Sequence, residues 1–424
     1  MMKRSIAQDE TLSLTVFIIC INLFASLLFL IFRPQTVRLA IAPTIMPEYH
    51  SAYIAFDPYP SYKGSATHIH EVFTSMQQHF NNCLLLTLEG VLEPVQDQLA
   101  HEVTATNYLK RGLQFSNWAK KVLSNHSRLE MIQFRDIWGG LAAIEQGIPT
   151  IFEVNGLPSI ELKERYALLA KSTLDKIAAM EDFCLRKAEH IICPSHVIAR
   201  HLETRGISTQ KVHVIPNSAH VMEEQPAGAD FDFPYVVYFG ALQPWQGVKT
   251  AIKSMKYLED IAGVRLVICS SHKPKHAKPY HKLVHKLGLS DRVVWQYQLP
   301  REQLYGIIKQ AIASLAPLAE CERNLVQGCS PLKIYESMAC ETAIIASDLP
   351  VTREILSHDE NAILIKPDRP ASLARQIRLL HEDPNERLRL AGNAKLTLEA
   401  RGRWQASNDQ LKDIYRHLLQ PMLY

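Results

Sequence analysis

The residues best suited to chemistry lie at Ser330 to Glu336, SPLKIYE, where a serine and a proline precede a helical run. Ser330 is a natural N-cap and Pro331 suits the first helical position, so Leu332, Lys333, Ile334, Tyr335 and Glu336 are expected to continue as helix. Such a start aims free backbone N–H groups and the positive end of the helix dipole at an anion, above all a phosphate. Lys333 stands in the first turn, where a cation opposes the dipole unless an anion is present; its alternative is a lysine pointing to solvent. Glu336 shares a face with Leu332 and Lys333, and its alternative is an ordinary exposed glutamate.

Similar arrangements occur in the first half of the chain. KGSATH (63–68) follows an apolar strand and opens a helix, so Lys63, Gly64 and Ser65 are expected at a cleft, with backbone N–H groups turned toward a ligand. His68 and His70 fall on different faces of that helix, which argues against a metal pair, and no metal site is expected elsewhere. Arg135 and Asp136 stand at a strand end, where Arg135 would meet a phosphate and Asp136 would position a hydroxyl; the alternative is a mutual structural ion pair. Asn155 and Gly156 end the next strand and would line the same cleft.

Positioning these groups requires strand ends, and the chain supplies two sets. Short apolar runs at 52–58, 83–90, 129–134, 149–154 and 189–195 alternate with longer helical stretches; a second series follows at 234–240, 264–271, 292–297, 313–318, 342–347 and 361–366. The pattern predicts an α/β fold of two Rossmann-like domains with parallel sheets, facing each other across a cleft at the carboxyl ends of their strands. A linker is expected over 212–234, where AGAD and three prolines interrupt the pattern. The expected layout is an N-terminal segment (1–46), a first Rossmann-like domain (47–220), a second (221–403) and a C-terminal helix (404–424) packing across the domains.

At 424 residues the chain exceeds a single core. Its net charge of +3 is too small a bias to imply a nucleic-acid partner, and its eight cysteines are scattered singly, as reduced thiols would be. Leu12 to Phe32 carries no charge and is long enough to cross a bilayer, so a single membrane helix is expected; the alternative is a start at Met46 that omits it. Flanking charges leave the orientation open.

YFGALQPWQGVKTAIKSMKYL (238–258), GCSPLKIYESMAC (328–340) and ASDLPVTREIL (346–356) together resemble the retaining GT-B glycosyltransferases of family four, as do DPYPSYKGSATHIHE (57–71), the stretch 133–162 and HIICPSHVIARHL (190–202). The resemblance runs over nearly the whole chain from Ala52. It implies metal-free transfer of a sugar, with retention of configuration, from a UDP- or GDP-linked donor held on the second lobe. The acceptor would be a sugar or lipid-linked precursor of a surface polysaccharide or glycolipid, at the cytoplasmic face of a membrane. No cofactor beyond the donor substrate is implied.

By that resemblance Glu336 receives the ribose hydroxyls, Lys333 and the start of its helix hold the diphosphate, and Gln296, Tyr297 and Gln298 lie near the base. Members usually carry a glutamate eight positions before the second one, and Gly328 stands there; Gly328 and Cys329 would offer backbone N–H groups to the sugar instead. They also carry an arginine after Gly240 and a lysine before Gly247, where this chain has Ala241 and Gln246, so Lys249 and Lys333 are the expected replacements, with Gln246 still able to donate from its amide. These departures keep a second possibility open, a sugar-nucleotide-binding homologue with weak or no turnover. A phosphorylase or epimerase is disfavoured by the GCSPLKIYESMAC segment.

Overall fold

Short, mostly apolar runs, too short for helices and bounded by polar turns, form most strands of two sheets. The computed structural model describes residues 48–80, 82–166, 168–221, 231–261 and 263–419. The expected membrane run at 12–32, Met46 and AGAD lie outside the described residues, among which no helix is long and apolar enough to cross a membrane. Glu48–Tyr424 forms one compact unit.

The first sheet holds β1 (Ser51–Tyr59), β2 (Cys83–Glu89), β3 (Gln98–His101), β4 (Met131–Phe134), β5 (Thr150–Glu153), β6 (His190–Cys193) and β7 (Val212–Val214), in the order β3-β2-β1-β4-β5-β6-β7. Its helices are α1 (Gly64–Phe80), α2 (Tyr108–Leu123), α3 (Ile137–Ile144), α4 (Pro158–Arg165), α5 (Lys171–Lys187) and α6 (His196–Thr204). The second sheet holds β8 (Tyr235–Gly240), β9 (Arg265–Ser270), β10 (Val293–Tyr297), β11 (Ser314–Ala316), β12 (Ile344–Ser347) and β13 (Ile363–Ile365), in the order β10-β9-β8-β11-β12-β13. With it go α7 (Val248–Ser254), α8 (Lys278–Lys286), α9 (Arg301–Gln310), α10 (Leu332–Ala339), α11 (Pro350–Arg353), α12 (Pro370–Glu382), α13 (Pro384–Ala400) and α14 (Arg403–Leu419). Every strand pairing is parallel, so both faces of each sheet need helical cover.

Each anticipated strand is present, with its ends trimmed by turn residues. Two strands escape the sequence pattern: β3 is a short polar edge, and β7 occupies the start of the expected linker, its three residues only half-buried. Both lack the apolar run that marks a central strand.

Burial follows the two-residue period of the strands. Ile54, Leu84, Leu86 and Phe134 face α2 and α3, whereas Tyr53, Leu85, Met131 and Ile151 face α1 and the end of α14. The chain therefore leaves the second lobe and returns to the first, where Leu411, Ile414 and Tyr415 complete its core. Tyr415 is fully buried and its hydroxyl donates to Gln133 Oε1 at 2.8 Å. Tyr415→Phe leaves that oxygen unpaired and should lower stability by about 1–3 kcal/mol, read as a lower urea midpoint at unchanged slope.

The lobes also meet directly. Glu354 of the second lobe accepts from the backbone N–H groups of His196 and Val197 (3.1 and 2.8 Å), capping α6 of the first. Gln327 Oε1 accepts from Leu157 N at 3.0 Å, and Arg323 Nε pairs with Glu161 at 2.9 Å.

Candidate functional site

Beyond β8 the chain leaves Gly240 at φ +112° and turns through Pro244–Gln246 to Gly247 at φ +71°. A Cβ at Gly247 would lie 1.6 Å from the Pro317 carbonyl oxygen, so only glycine allows this turn to press against the β11 exit. Gly247→Ala should displace the loop, lowering both the melting temperature and donor affinity; a variant with wild-type melting and binding would contradict this.

Helix α10 starts one residue later than the serine-proline pair suggests. Pro331 is the N-cap and makes no side-chain cap bond. Ser330 is claimed elsewhere: its carbonyl accepts from Asn217 Nδ2 at 2.9 Å and its hydroxyl lies 3.3 Å from that of Tyr335. With no protein side chain capping it, the helix presents its first-turn N–H groups to a ligand. Across the cleft, α1 begins at Gly64, where a Cβ would sit 3.3 Å from Leu332 Cδ1. Two helix N-termini, one from each lobe, thus face each other, and both favour negative charge between them. Lys63 and Ser65 flank this point, half-buried.

Lys333 is not a solvent lysine. It is only 7% exposed, its ammonium has no hydrogen-bond partner, and it lies 4.0 Å from the centroid of the Tyr238 ring. Burial pushes its pKa down to about 7. A ring face offsets only part of the desolvation of an ammonium, so the pocket is short of one anion. Gly240 stands beside the same side chain, since a Cβ there would be 3.9 Å from Lys333 Cε. Glu336, half-buried, makes no side-chain hydrogen bond among the described residues; burial pushes its pKa up to about 7, against the pull of Arg301 and Lys333.

Further buried polar atoms without partners stand near the carboxyl ends of the strands: Ser61 Oγ, Gln246 Oε1, Ser271 Oγ, Asn217 Oδ1 and Ser218 Oγ. Such atoms are uncommon in folded proteins, and a group of them around a cleft is what a polyhydroxylated ligand would satisfy. The sequence did not single out Ser61, Ser271, Asn217, Ser218 or Arg301; each follows a strand end closely, the only signal available.

Several expected ligands have other duties. Arg135 and Asp136 do not pair with each other: Arg135 Nη1 binds Glu153 at 2.8 Å, while Asp136 caps α3, accepting from Trp138 N and Gly139 N, and also receives Phe56 N. With its oxygens so occupied, Asp136 has little left for an acceptor hydroxyl. Asn155 Nδ2 donates to Glu153, and Gly156 packs so closely on Glu161 that a Cβ would meet its carboxylate at 2.4 Å. Gly328, at φ +91°, gives its N–H to the Arg323 carbonyl and presses on Val197 and Ile198 of the first lobe, and Cys329 is buried with Val197, Leu318, Leu349 and Val351. Both pack at the lobe junction, and the Gly328 N–H is taken within the chain rather than offered to a sugar. Lys249 is exposed on α7. Tyr297 turns its hydroxyl to His281 of α8 at 2.7 Å, leaving half-buried Gln296 and Gln298 at the end of β10.

Most of the chain, across both lobes, matches known family models. Residues 223–397 match the glycosyl transferases group 1 family, and residues 62–221 match glycosyltransferase family 4. The chain belongs to this glycosyltransferase family. It is 22% identical over 206 residues to the O-antigen chain mannosyltransferase RfbU of Salmonella typhimurium, covering 47% of this chain and 53% of that protein. It is 23% identical over 289 residues to the alpha-D-kanosaminyltransferase of Streptomyces kanamyceticus, covering 64% and 71%. The chain spans about half the length of the first of these relatives. Sucrose-phosphate synthase from Thermosynechococcus elongatus superposes with a TM-score of 0.70 at 17% identity, covering 87% of this chain and 99% of that one. Anabaena HepE in complex with UDP-glucose does so with a TM-score of 0.68 at 16% identity, covering 86% and 99%. The fold of this family member is GT-B.

Proposed function

We propose that the chain transfers a sugar from a nucleotide-sugar to an acceptor, with retention of configuration, in the synthesis of a cell-surface polysaccharide or glycolipid. The observation that carries this is the unpaired ammonium of Lys333 at the uncapped start of α10, facing the start of α1. The diphosphate sits between the helix ends, Glu336 receives the ribose hydroxyls, and the base lies toward Gln296 and Gln298. As the bond to the sugar breaks, Lys333 and the two helix starts stabilise the charge gathering on the departing diphosphate, which takes the acceptor proton on the same face. No residue needs to form a covalent bond to the sugar.

The relative named an O-antigen chain mannosyltransferase, and a structural neighbour holding UDP-glucose, support this substrate class. The apolar run at 12–32 supports a place at a membrane, with a lipid-linked acceptor within reach of the first lobe. A thermal-shift screen of UDP- and GDP-sugars tests the reading: one donor family should stabilise the protein, and Glu336→Ala should remove most of the shift. Ala241 and Gln246, standing where basic residues are usual, favour a second reading of binding without turnover. Product formation with the stabilising donor decides between the two.

A further inference from the structure

The C-terminal lobe carries an unpartnered cationic face outside the donor site. Between Asp260 and Asp291 the chain has no carboxylate, yet residues 272–286, HKPKHAKPYHKLVHK, contain five lysines and four histidines. On α8 the exposed positions Lys278, Lys282, His285 and Lys286 recur at helical spacing along one face, while Tyr280 and Val284 are buried on the other. Lys273 and Lys275 extend this face toward the end of β9, and α7, packed beside α8, adds exposed Lys249 and Lys253. None of these seven lysines forms an ion pair among the described residues. The nearby carboxylates are engaged elsewhere, Glu259 with Lys256 and Asp260 with Arg378.

We propose that this face docks on an anionic phospholipid surface. Its charge is delivered by lysines, with no arginine in 272–286, a composition suited to diffuse attraction by many headgroups rather than to bidentate grip on one phosphate. Within 272–286 Tyr280, the only Phe, Tyr or Trp there, is buried, so α8 offers no ring of that kind for stacking bases. Because α8 is joined to the carboxyl end of β9 by a short loop and the turn Pro274–Ala277, docking brings the rim of the cleft toward the bilayer, where the lipid-linked acceptor of the proposed function would be presented. The contact belongs to the folded unit itself and does not depend on the apolar run at 12–32.

Residues 48–424 form a compact unit with their own cores, so they can be tested without that run. In co-sedimentation they should bind vesicles rich in phosphatidylglycerol, bind vesicles of phosphatidylcholine alone far more weakly, and release at high salt. Each lysine near an anionic surface contributes about a fivefold gain, so the triple variant Lys253→Gln, Lys282→Gln, Lys286→Gln should bind on the order of a hundredfold more weakly. Its circular dichroism and melting should stay unchanged. The exposed pair Lys171→Gln, Lys176→Gln on α5 should retain binding. Equal binding to both vesicle types, equal loss in the α5 variant, or retention on dextran sulfate without vesicle binding would each overturn the proposal.

Discussion

Replacing Lys333 with methionine should remove most donor binding and at the same time stabilise the empty protein. In the empty site the ammonium is buried without a partner and titrates near 7, whereas a lysine in the unfolded chain titrates near 10.5. Between those values the unfolded chain holds a proton that the folded chain has released, so stability rises with pH through that window. The deficit is complete below about pH 7. Methionine fills similar volume without that deficit, so the variant should gain stability at neutral pH, with the gain shrinking toward pH 10.5. The donor has the opposite requirement. A diphosphate beside Lys333 restores its charge, so binding takes up a proton, and wild-type affinity should weaken as pH rises above about 7. Loss of the charge-assisted contact should reduce kcat/KM by about 10²–10³ and flatten that limb of the pH profile. Glu336, also titrating near 7, acts in reverse: its carboxylate form receives ribose hydroxyls, so affinity should fall on the acid side. Titration calorimetry in buffers of different protonation enthalpy reads the proton uptake directly. A methionine variant that bound donor normally while melting lower would place the diphosphate elsewhere.

The elements carrying this site were legible because their causes are local. Strand runs such as 83–90 alternate with helices at a period that any parallel sheet imposes, and the proline before Leu332 marks a helix start wherever it folds. The shift of the N-cap from Ser330 to Pro331 was not legible, because it depends on Asn217, more than a hundred residues away, drawing on the Ser330 carbonyl. Gly328 shows the same limit. Its positive φ is a local property, but its packing against Ile198 is a fact of how the lobes meet. Arg135 and Asp136 looked like cleft ligands because a strand end usually offers its polar residues to a ligand. Here a buried glutamate from the neighbouring strand takes the arginine, and the helix that follows takes the aspartate. Contacts between strands set far apart in sequence decide such cases, and a single sequence carries no register for them.

That buried glutamate supplies the largest expected loss of stability. Glu153 is 2% exposed and accepts from the Tyr53 hydroxyl at 2.7 Å, Gln133 Nε2 at 3.0 Å and Arg135 Nη1 at 2.8 Å, with His68 Nδ1 at 3.2 Å. His68 and Arg135 hold its carboxyl below the ordinary value despite burial, while burial pushes His68 down to about 4 and leaves it neutral. Glu153→Ala strands the Arg135 guanidinium with only Asp57 nearby, at 3.7 Å, and should cost about 3–5 kcal/mol. Because the folded pKa is depressed, the ionised carboxylate contributes stability above about pH 4.5 that is lost as pH falls through the folded value. The alanine variant should therefore lose part of the acid limb of the wild-type stability profile. Removing both charges, as Glu153→Met with Arg135→Met, should recover much of the loss, since the burden in the single variant is an uncompensated charge rather than a missing attraction. Donor affinity, which rests on α10 in the other lobe, should change little in any variant that folds. If Glu153→Ala instead melts like wild type and loses only transfer, the Glu153 cluster holds the acceptor, and the polar groups at the ends of β4 and β5 belong to the reaction after all.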